Sequence, residues 1–122
     1  MTISCSASAI GTLKETELVA VRGDDNFFNF DMDTDLDVGD EVQFWVASRE
    51  ADLTDADALV MKDRSSGIAD VDAPNGIFQV QLEPADIANL DDEAYVFKCR
   101  VRKVDAQMFT TLARGTMRMQ GP

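Results

Sequence analysis

Short runs of alternating apolar and polar residues recur along the chain, separated by clusters of Gly, Asp, Asn and Pro. In residues 77–83, for example, Phe78, Val80 and Leu82 alternate with two glutamines. Alternation with a period of two residues is typical of strands that bury one face. The pattern predicts eight strands, at residues 18–22, 27–33, 41–48, 58–63, 68–71, 77–83, 94–104 and 108–119.

Two segments depart from this alternation. Pro84 suits the first position of a helix, and Ile87 and Leu90 lie three residues apart, so one helical turn is predicted there. In the last strand the alternation is irregular around residues 113–115, where a bulge at Gly115 would reset it. Seven to eight short strands with one short helical turn predict an all-β, antiparallel β-sandwich of two sheets.

The length fits a single domain. We expect the sandwich to span residues 14–122, preceded by a polar N-terminal arm or leader at residues 1–13. This leader lacks the charged and apolar regions of a secretory signal, so synthesis in the cytoplasm is expected. Cys5 and Cys99 lie far apart without CxxC spacing, which predicts neither a metal site nor a redox pair.

The composition excludes several functional classes. The 122 residues include 23 acidic and 11 basic side chains and no histidine, for a net charge of −12. Without histidine there is no His-based catalytic triad and no imidazole metal site. The negative charge disfavours nucleic acids and anionic membranes as partners. No phosphate-binding Gly loop or activated nucleophile is present, so we expect a non-enzymatic protein without a cofactor.

The charge is unevenly distributed along the chain. Residues 1–97 hold 22 acidic and five basic residues, whereas residues 98–122 hold one acidic and six basic residues. Such polarity favours assembly in which the basic surface of one copy meets the acidic surface of another. The alternative is cross-strand pairing within one molecule. The basic residues concerned are Lys98, Arg100, Arg102, Lys103, Arg114 and Arg118.

Aspartates at alternate positions mark the segment between the second and third predicted strands: Asp31, Asp33, Asp35 and Asp37, followed by Asp40. Oxygen ligands at such spacing suit calcium, but an EF-hand loop requires Gly at its sixth position and Glu at its twelfth. Neither register of the segment meets this requirement. The alternative is a strand end in which Met32, Leu36 and Val38 point inward and the aspartates face solvent. We expect this second arrangement, with the four alternating aspartates as the candidate ligands if a cation is bound.

Trp45 is the first candidate for an interface. Strand alternation places it opposite Val42, Phe44 and Val46, which form the predicted core set. Tryptophan is a favoured interface anchor when it lies outside a core. The alternative is that loops cover Trp45 or that its face is the buried one.

Two further groups complete the predicted interface. Phe27, on the outer face of a neighbouring strand, is expected to extend the patch around Trp45. Lys98, Arg100 and Arg102 alternate with the apolar residues of strand 94–104, and with Arg118 they form the predicted basic face.

Several segments, taken in order, resemble a known family. Val21-Arg22-Gly23-Asp24 is followed by Phe28-x-Phe30, and residues 76–82 run directly into the Pro84 turn. Ala94-Tyr95-Val96-Phe97 and the closing residues 114–119 complete the series. This order is similar to that of the small immunoglobulin-like domains of tailed-bacteriophage virion proteins, such as the N-terminal domain of baseplate upper proteins.

The resemblance implies an immunoglobulin-like domain in a bacteriophage virion structural protein, without enzymatic activity. It implies docking onto other virion proteins of the tail or baseplate, the neck or the capsid surface, and a homo-oligomer. The expected location is therefore the virion. The chain lacks the Cys…Trp…Cys core of antibody domains, although Tyr95 is placed to form a tyrosine corner. An alternative function is a calcium-dependent carbohydrate- or surface-binding module that uses residues Asp31–Asp40.

Overall fold

The computed structural model describes residues 2–4, 14–32, 35–91 and 93–121. Within these ranges it contains one short helix, α1 (Pro84–Ile87), and two 3₁₀ turns, at Glu50–Asp52 and Ala73–Asn75. No helix in these ranges is long and apolar enough to cross a membrane. The strands are β1 (Thr2–Ser4), β2 (Lys14–Val21), β3 (Asn26–Asp31), β4 (Glu41–Ala47), β5 (Val60–Asp63), β6 (Ile68–Asp72), β7 (Ile77–Leu82), β8 (Ala94–Arg102) and β9 (Thr110–Gln120).

The strands form two sheets, with the order β1-β3-β7-β6 in one and β2-β9-β8-β4-β5 in the other. The predicted β-sandwich is therefore confirmed. In immunoglobulin domains, strands B, E and D likewise face strands G, F and C, with C′ added in the variable type. Here β3, β7 and β6 face β9, β8, β4 and β5 in the same order.

Antiparallel pairing was expected throughout, but two strand pairs are parallel: β1 with β3, and β2 with β9. The other five pairs in the described part of the chain are antiparallel. Parallel and antiparallel strands share the same two-residue alternation, so the hydrophobic pattern carries no information on strand direction. The eight predicted strands are all present. In addition, Thr2–Ser4 of the predicted leader pairs with β3, while residues 5–13 lie outside the described residues.

The bulge in β9 lies at Leu112 rather than at Gly115. Cys99 pairs with Ala113, and the next residue of β8, Arg100, pairs with Thr111, so Leu112 is the extra residue. Leu112 and Ala113 are both buried, and outward alternation resumes at Arg114. The following loop also differs from the prediction, because β8 ends at Arg102 and β9 begins only at Thr110.

Aromatic residues from both sheets form the centre of the core. The rings of Phe30 and Phe78 stack at 5.5 Å between centroids, and Phe30 contacts Phe44 across the sandwich at 6.2 Å. Phe44 in turn stacks on Phe97 at 5.9 Å. Such contacts add about 0.5–1.5 kcal/mol per pair beyond the burial of apolar area. All four rings are at most 1 % exposed. Because side chains alternate along a strand, the neighbours of each ring in β3, β4, β7 and β8 point to the outer face of their sheet.

Tyr95 makes a contact of the tyrosine-corner kind at the start of β8. Its side chain is buried, and its hydroxyl oxygen accepts a hydrogen bond from the backbone N–H of Asp91 at 2.8 Å. Burial raises the pKa of the Tyr95 phenol above its usual value. The corner ties the connection between α1 and β8 to the sandwich, as it does in immunoglobulin domains.

Candidate docking surfaces

The structure brings most of the predicted interface residues to the outer face of the five-stranded sheet. Lys98, Arg100 and Arg102 project from β8 on the same side as Trp45 of β4, to which Lys98 is directly paired. Arg118 lies on the same face, farther along β9. The prediction that these side chains point to the outer face of the sheet is therefore correct. The role of each one depends on the residues that surround it.

Trp45 lies on the predicted face but is only 2 % exposed. The connection between β4 and β5 folds over the ring and packs Leu53 and Ala58 against it. The indole Nε1 donates a hydrogen bond to Asp55 Oδ1 at 2.9 Å. Trp45 thus forms a second small core on the outside of the sheet and is not the exposed apolar anchor that we expected.

Arg100 is also engaged within the molecule. Its guanidinium carbon lies 4.4 Å from the ring centroid of Trp45 and 4.0 Å from that of Phe109. Its Nε donates a hydrogen bond to Gln43 Oε1 at 2.8 Å. Burial lowers the pKa of this guanidinium, although nearby carboxylates oppose the shift. The stacking is worth about 0.5–2 kcal/mol to the fold, so Arg100 supports the cover of Trp45.

Three other arginines of this face form ion pairs within the chain. Arg102 pairs with Glu41 of the neighbouring β4. The Arg118 guanidinium lies 3.6 Å from Glu17, and that of Arg114 lies 4.0 Å from Glu50. Cross-strand pairing within one molecule, one of our two interpretations of the charge asymmetry, thus accounts for these residues. Exposed pairs of this kind contribute only about 0–1 kcal/mol each, so a partner can displace them at little cost.

A depression of about 530 Å³ lies on the same face; we call it the β8–β9 depression. Lys98 and Arg114 are direct cross-strand neighbours in it, and like charges placed opposite each other are destabilising. Leu53 and Val96 supply apolar surface. Among the described residues, no carboxylate lies within salt-bridge distance of Lys98. The other lining residues are Glu17, Glu50, Phe97, Thr111, Gly115 and Thr116.

Phe27 does not share a surface with Trp45. It is 46 % exposed on β3, which belongs to the four-stranded sheet, whereas Trp45 lies on the outer face of the opposite sheet. The expected common patch is therefore wrong. The alternation of each strand gives the face correctly, but it does not say to which sheet a strand belongs. Gln81, directly opposite Phe27, donates a hydrogen bond to Asp25 Oδ1 at 3.4 Å, and Gln79 donates one to Asn29 Oδ1 at 3.1 Å.

The acidic segment encloses an ammonium group of the protein itself. Lys103 Nζ lies 2.6 Å from Asp40 Oδ2, 3.2 Å from Asp37 Oδ2 and 2.5 Å from the carbonyl oxygen of Asp35. Asp40 is buried, contrary to the expectation that the aspartates face solvent, and it also accepts hydrogen bonds from the backbone N–H groups of Asp37 and Val104 at 2.8 Å each. Lys103 thus holds the position that a bound cation would take.

The titration of Asp40 and Lys103 reflects this pairing. Burial raises the pKa of Asp40, but the hydrogen bonds from Lys103 and two backbone N–H groups outweigh it, and the net pKa is below the usual value. Burial likewise lowers the pKa of Lys103, yet the two aspartates raise it overall. Asp33 lies outside the described residues. Within the ranges that the structure covers, no three acidic or cysteine side chains converge as a metal site.

One surface was not predicted from the sequence. Val38, Val104 and Met108 are 97 %, 62 % and 80 % exposed, the highest values among the large hydrophobic residues described. Val38 was expected to point inward with Met32 and Leu36; those two are buried, but the chain turns at Val38 before β4 begins. We call these three residues the apolar tip. Val104 and Met108 were predicted as the end of one strand and the start of the next, and Val38 as an inward residue, so no local signal marked this surface.

The two loops that carry the apolar tip are joined firmly. Arg64 donates hydrogen bonds to the carbonyl oxygens of Asp37 at 2.7 Å and of Asp40 at 2.8 Å. Asp40 links the first loop to the backbone of Val104 in the second. The loops also touch at Gly39, where an added Cβ would lie 2.4 Å from Val104 Cγ2. The apolar tip is therefore held in place by these hydrogen bonds and by the close contact at Gly39.

Comparison with known proteins bears on the fold. No protein-family model matches the chain, and no curated protein matches it. Among solved structures, the chain is similar to the N-terminal domain of phage TP901-1 ORF48, with a TM-score of 0.56 and 8 % sequence identity. The alignment covers 98 % of this chain and 96 % of that one. Over almost its full length, the chain thus shares its fold with a domain of a phage protein.

Proposed function

We propose that this protein is a non-enzymatic structural component of a tailed-bacteriophage virion, which docks onto other virion proteins through its β-sandwich. The observation that carries the proposal is the match to a phage domain, which spans 98 % of this chain and 96 % of that one. The order of sequence segments independently resembles the domains of phage virion proteins. Attachment to the tail or baseplate, the neck or the capsid surface is compatible with both.

The surface supports a docking role. Most basic side chains on the five-stranded sheet form ion pairs or other contacts within the chain. The protein as a whole carries a net charge of −12. Such a molecule is attracted to basic surfaces of neighbouring proteins. The calcium-dependent alternative has no comparable support, since Lys103 holds the centre of the acidic segment.

The proposal is tested by determining which proteins are present in particles of the phage whose genome encodes this chain. Intact virions and separated tailless capsids are analysed by mass spectrometry. Presence in both fractions indicates a protein of the head surface, and presence only with tails indicates a tail or baseplate attachment module. Absence from both fractions contradicts the virion proposal.

A further inference from the structure

We propose that Lys62 prevents strand addition at β5: its charged side chain, turned inward on this edge strand, keeps β5 from pairing with strands of other molecules. The inference does not depend on the proposed virion role. It rests on the position of β5 in its sheet, on the burial and the partner of Lys62, and on the neighbouring edge strand β6.

β5 is the last strand of the five-stranded sheet, and its strand partner in the described part of the chain is β4. The outer side of an edge strand is a template for pairing with another chain. Apolar residues at β5 favour such pairing, because Leu59, just before the strand, and Met61 within it are 50 % and 41 % exposed. The pairing of β5 with β4 shows no register shift that would bend the edge away.

Lys62 occupies an inward position in this strand. It lies directly opposite Phe44, which is fully buried in the core, and Lys62 itself is only 9 % exposed. Its Nζ lies 2.8 Å from Oδ2 of Asp86 in α1, which follows β7 of the other sheet. A charged side chain thus stands where the inner face of a sandwich strand usually carries an apolar one. Inward-pointing charges on edge strands are one of the features by which natural β proteins avoid edge-to-edge pairing.

The neighbours of Lys62 are fitted to this inward position. A Cβ added at Gly67 would lie 2.4 Å from Lys62 Cδ, and Gly67 has a φ of +94°, in the region that favours glycine. Asp86 is also held in place, since its Oδ2 accepts a hydrogen bond from the backbone N–H of Glu83 at 2.7 Å. The direction of the Lys62 side chain is therefore specified by the fold.

The ion pair retains some contact with water, because the side chains of Lys62 and Asp86 are 11 % and 24 % exposed. Since β5 ends its sheet, a strand added beside it would lie next to this pair and remove the remaining water. Taking charges out of water is costly even when they are paired. The four residues of β5 offer few backbone hydrogen bonds in return, and each contributes little net free energy. We therefore expect the desolvation cost to keep the edge unpaired.

The second edge on this side of the sandwich is protected by a different feature. β6 ends the four-stranded sheet and follows β5 after a turn in which Asp63 forms a bridge with Gly67. Its register shifts between Asp70 and Asp72, and a bulge of this kind interrupts a regular edge. Asp70 is also ion-paired with Arg64 at 2.7 Å. Both neighbouring edges are thus protected, as expected if this side of the sandwich is kept free of strand addition.

The experiment compares the full-length variant Asp86→Asn with the double variant Lys62→Met/Asp86→Asn. Both lack the ion pair, so they differ only in whether residue 62 carries a charge. Asp86→Asn leaves the Lys62 ammonium buried without its partner and is expected to be the less stable of the two. Association caused by low stability alone would therefore be stronger in Asp86→Asn. Thermal melting measures the stability of both variants and of wild type.

The readout is amide hydrogen exchange at residues 60–63 at increasing protein concentration, with sedimentation equilibrium giving the mass. In the double variant these amides are expected to become protected as the concentration rises, with association at least about tenfold stronger than in Asp86→Asn. In wild type and in Asp86→Asn their exchange is expected to be independent of concentration, whether or not other surfaces associate. Lys62→Leu/Asp86→Asn, with a shorter side chain at residue 62, is a second double variant with the same expected result.

Concentration-dependent protection of β5 in wild type or in Asp86→Asn overturns the proposal. Its absence from both double variants overturns it as well. Particle composition tests the virion role separately.

Discussion

Trp45 and Phe27 each point to the outer face of their own sheet, but the two side chains have different surroundings. Trp45 is covered by the connection between β4 and β5, and its indole N–H is bonded to Asp55. Phe27 has no such cover and is 46 % exposed. The difference lies in the neighbouring loops and not in the strands, so it decides which aromatic residue stabilises the fold and which is available to a partner.

We expect Trp45→Ala to destabilise the domain by about 3–5 kcal/mol, because the substitution empties a packed site and removes the surface on which Arg100 stacks. Phe27→Ala is the matched control and should cost less than about 1 kcal/mol. Urea unfolding of both variants gives the two free energies. Equal losses would mean that the cover of Trp45 contributes nothing to stability.

At the scale of elements, the segment between β3 and β4 is organised by one buried carboxylate. Asp40 joins its own loop to Lys103 and to the backbone of Val104, 64 residues later in the chain. The usual value of an aspartate pKa is 3.8, and that of Asp40 is lower in the folded protein. Asp40 therefore contributes stability that is present above about pH 4 and is lost as the pH falls through its folded pKa. For Lys103, whose pKa is raised, the contribution is lost only as the pH rises above about 10.

This pairing predicts a specific response to acid. Asp40→Asn should destabilise the protein by about 2–3 kcal/mol near neutral pH, because it leaves the Lys103 charge without its main partner. The difference from wild type should stay constant down to about pH 5 and shrink below about pH 4, since protonation then removes the same charge from wild type. Denaturant unfolding across this range measures the difference, with the exposed Asp24→Asn as the control. A difference that is independent of pH would contradict the assignment.

The same element predicts the response to calcium. Because the Lys103 ammonium lies among the oxygen atoms of the segment, we expect the melting temperature to be the same in millimolar calcium and in chelator. Lys103→Met removes the ammonium and serves as the comparison. A rise in the melting temperature of wild type with calcium would support the alternative function as a calcium-dependent module.

At the scale of the whole molecule, the sequence pattern predicts the parts better than their arrangement. Alternation is local, so it locates the strands and their buried faces, including Lys98, Arg100 and Arg102 on the outside of β8. Long-range contacts carry no such local signal. The cover over Trp45 and the partner of Asp40 depend on residues that meet only in the folded chain. For the same reason the sequence indicates which kinds of residue form an interface but not which of them share a surface. The apolar tip was missed on the same ground.

The parallel pairing of β2 with β9 has a mechanical consequence. The two strands run side by side from Lys14 opposite Ala113 to Val21 opposite Gln120. The chain therefore enters β2 at one end of the pair and leaves β9 at the other. A pull on the chain from both sides draws the two strands along their length in opposite directions, so their hydrogen bonds are loaded together in shear instead of opening one after another. The edge of the sandwich thereby acts as a clamp against tension along the chain.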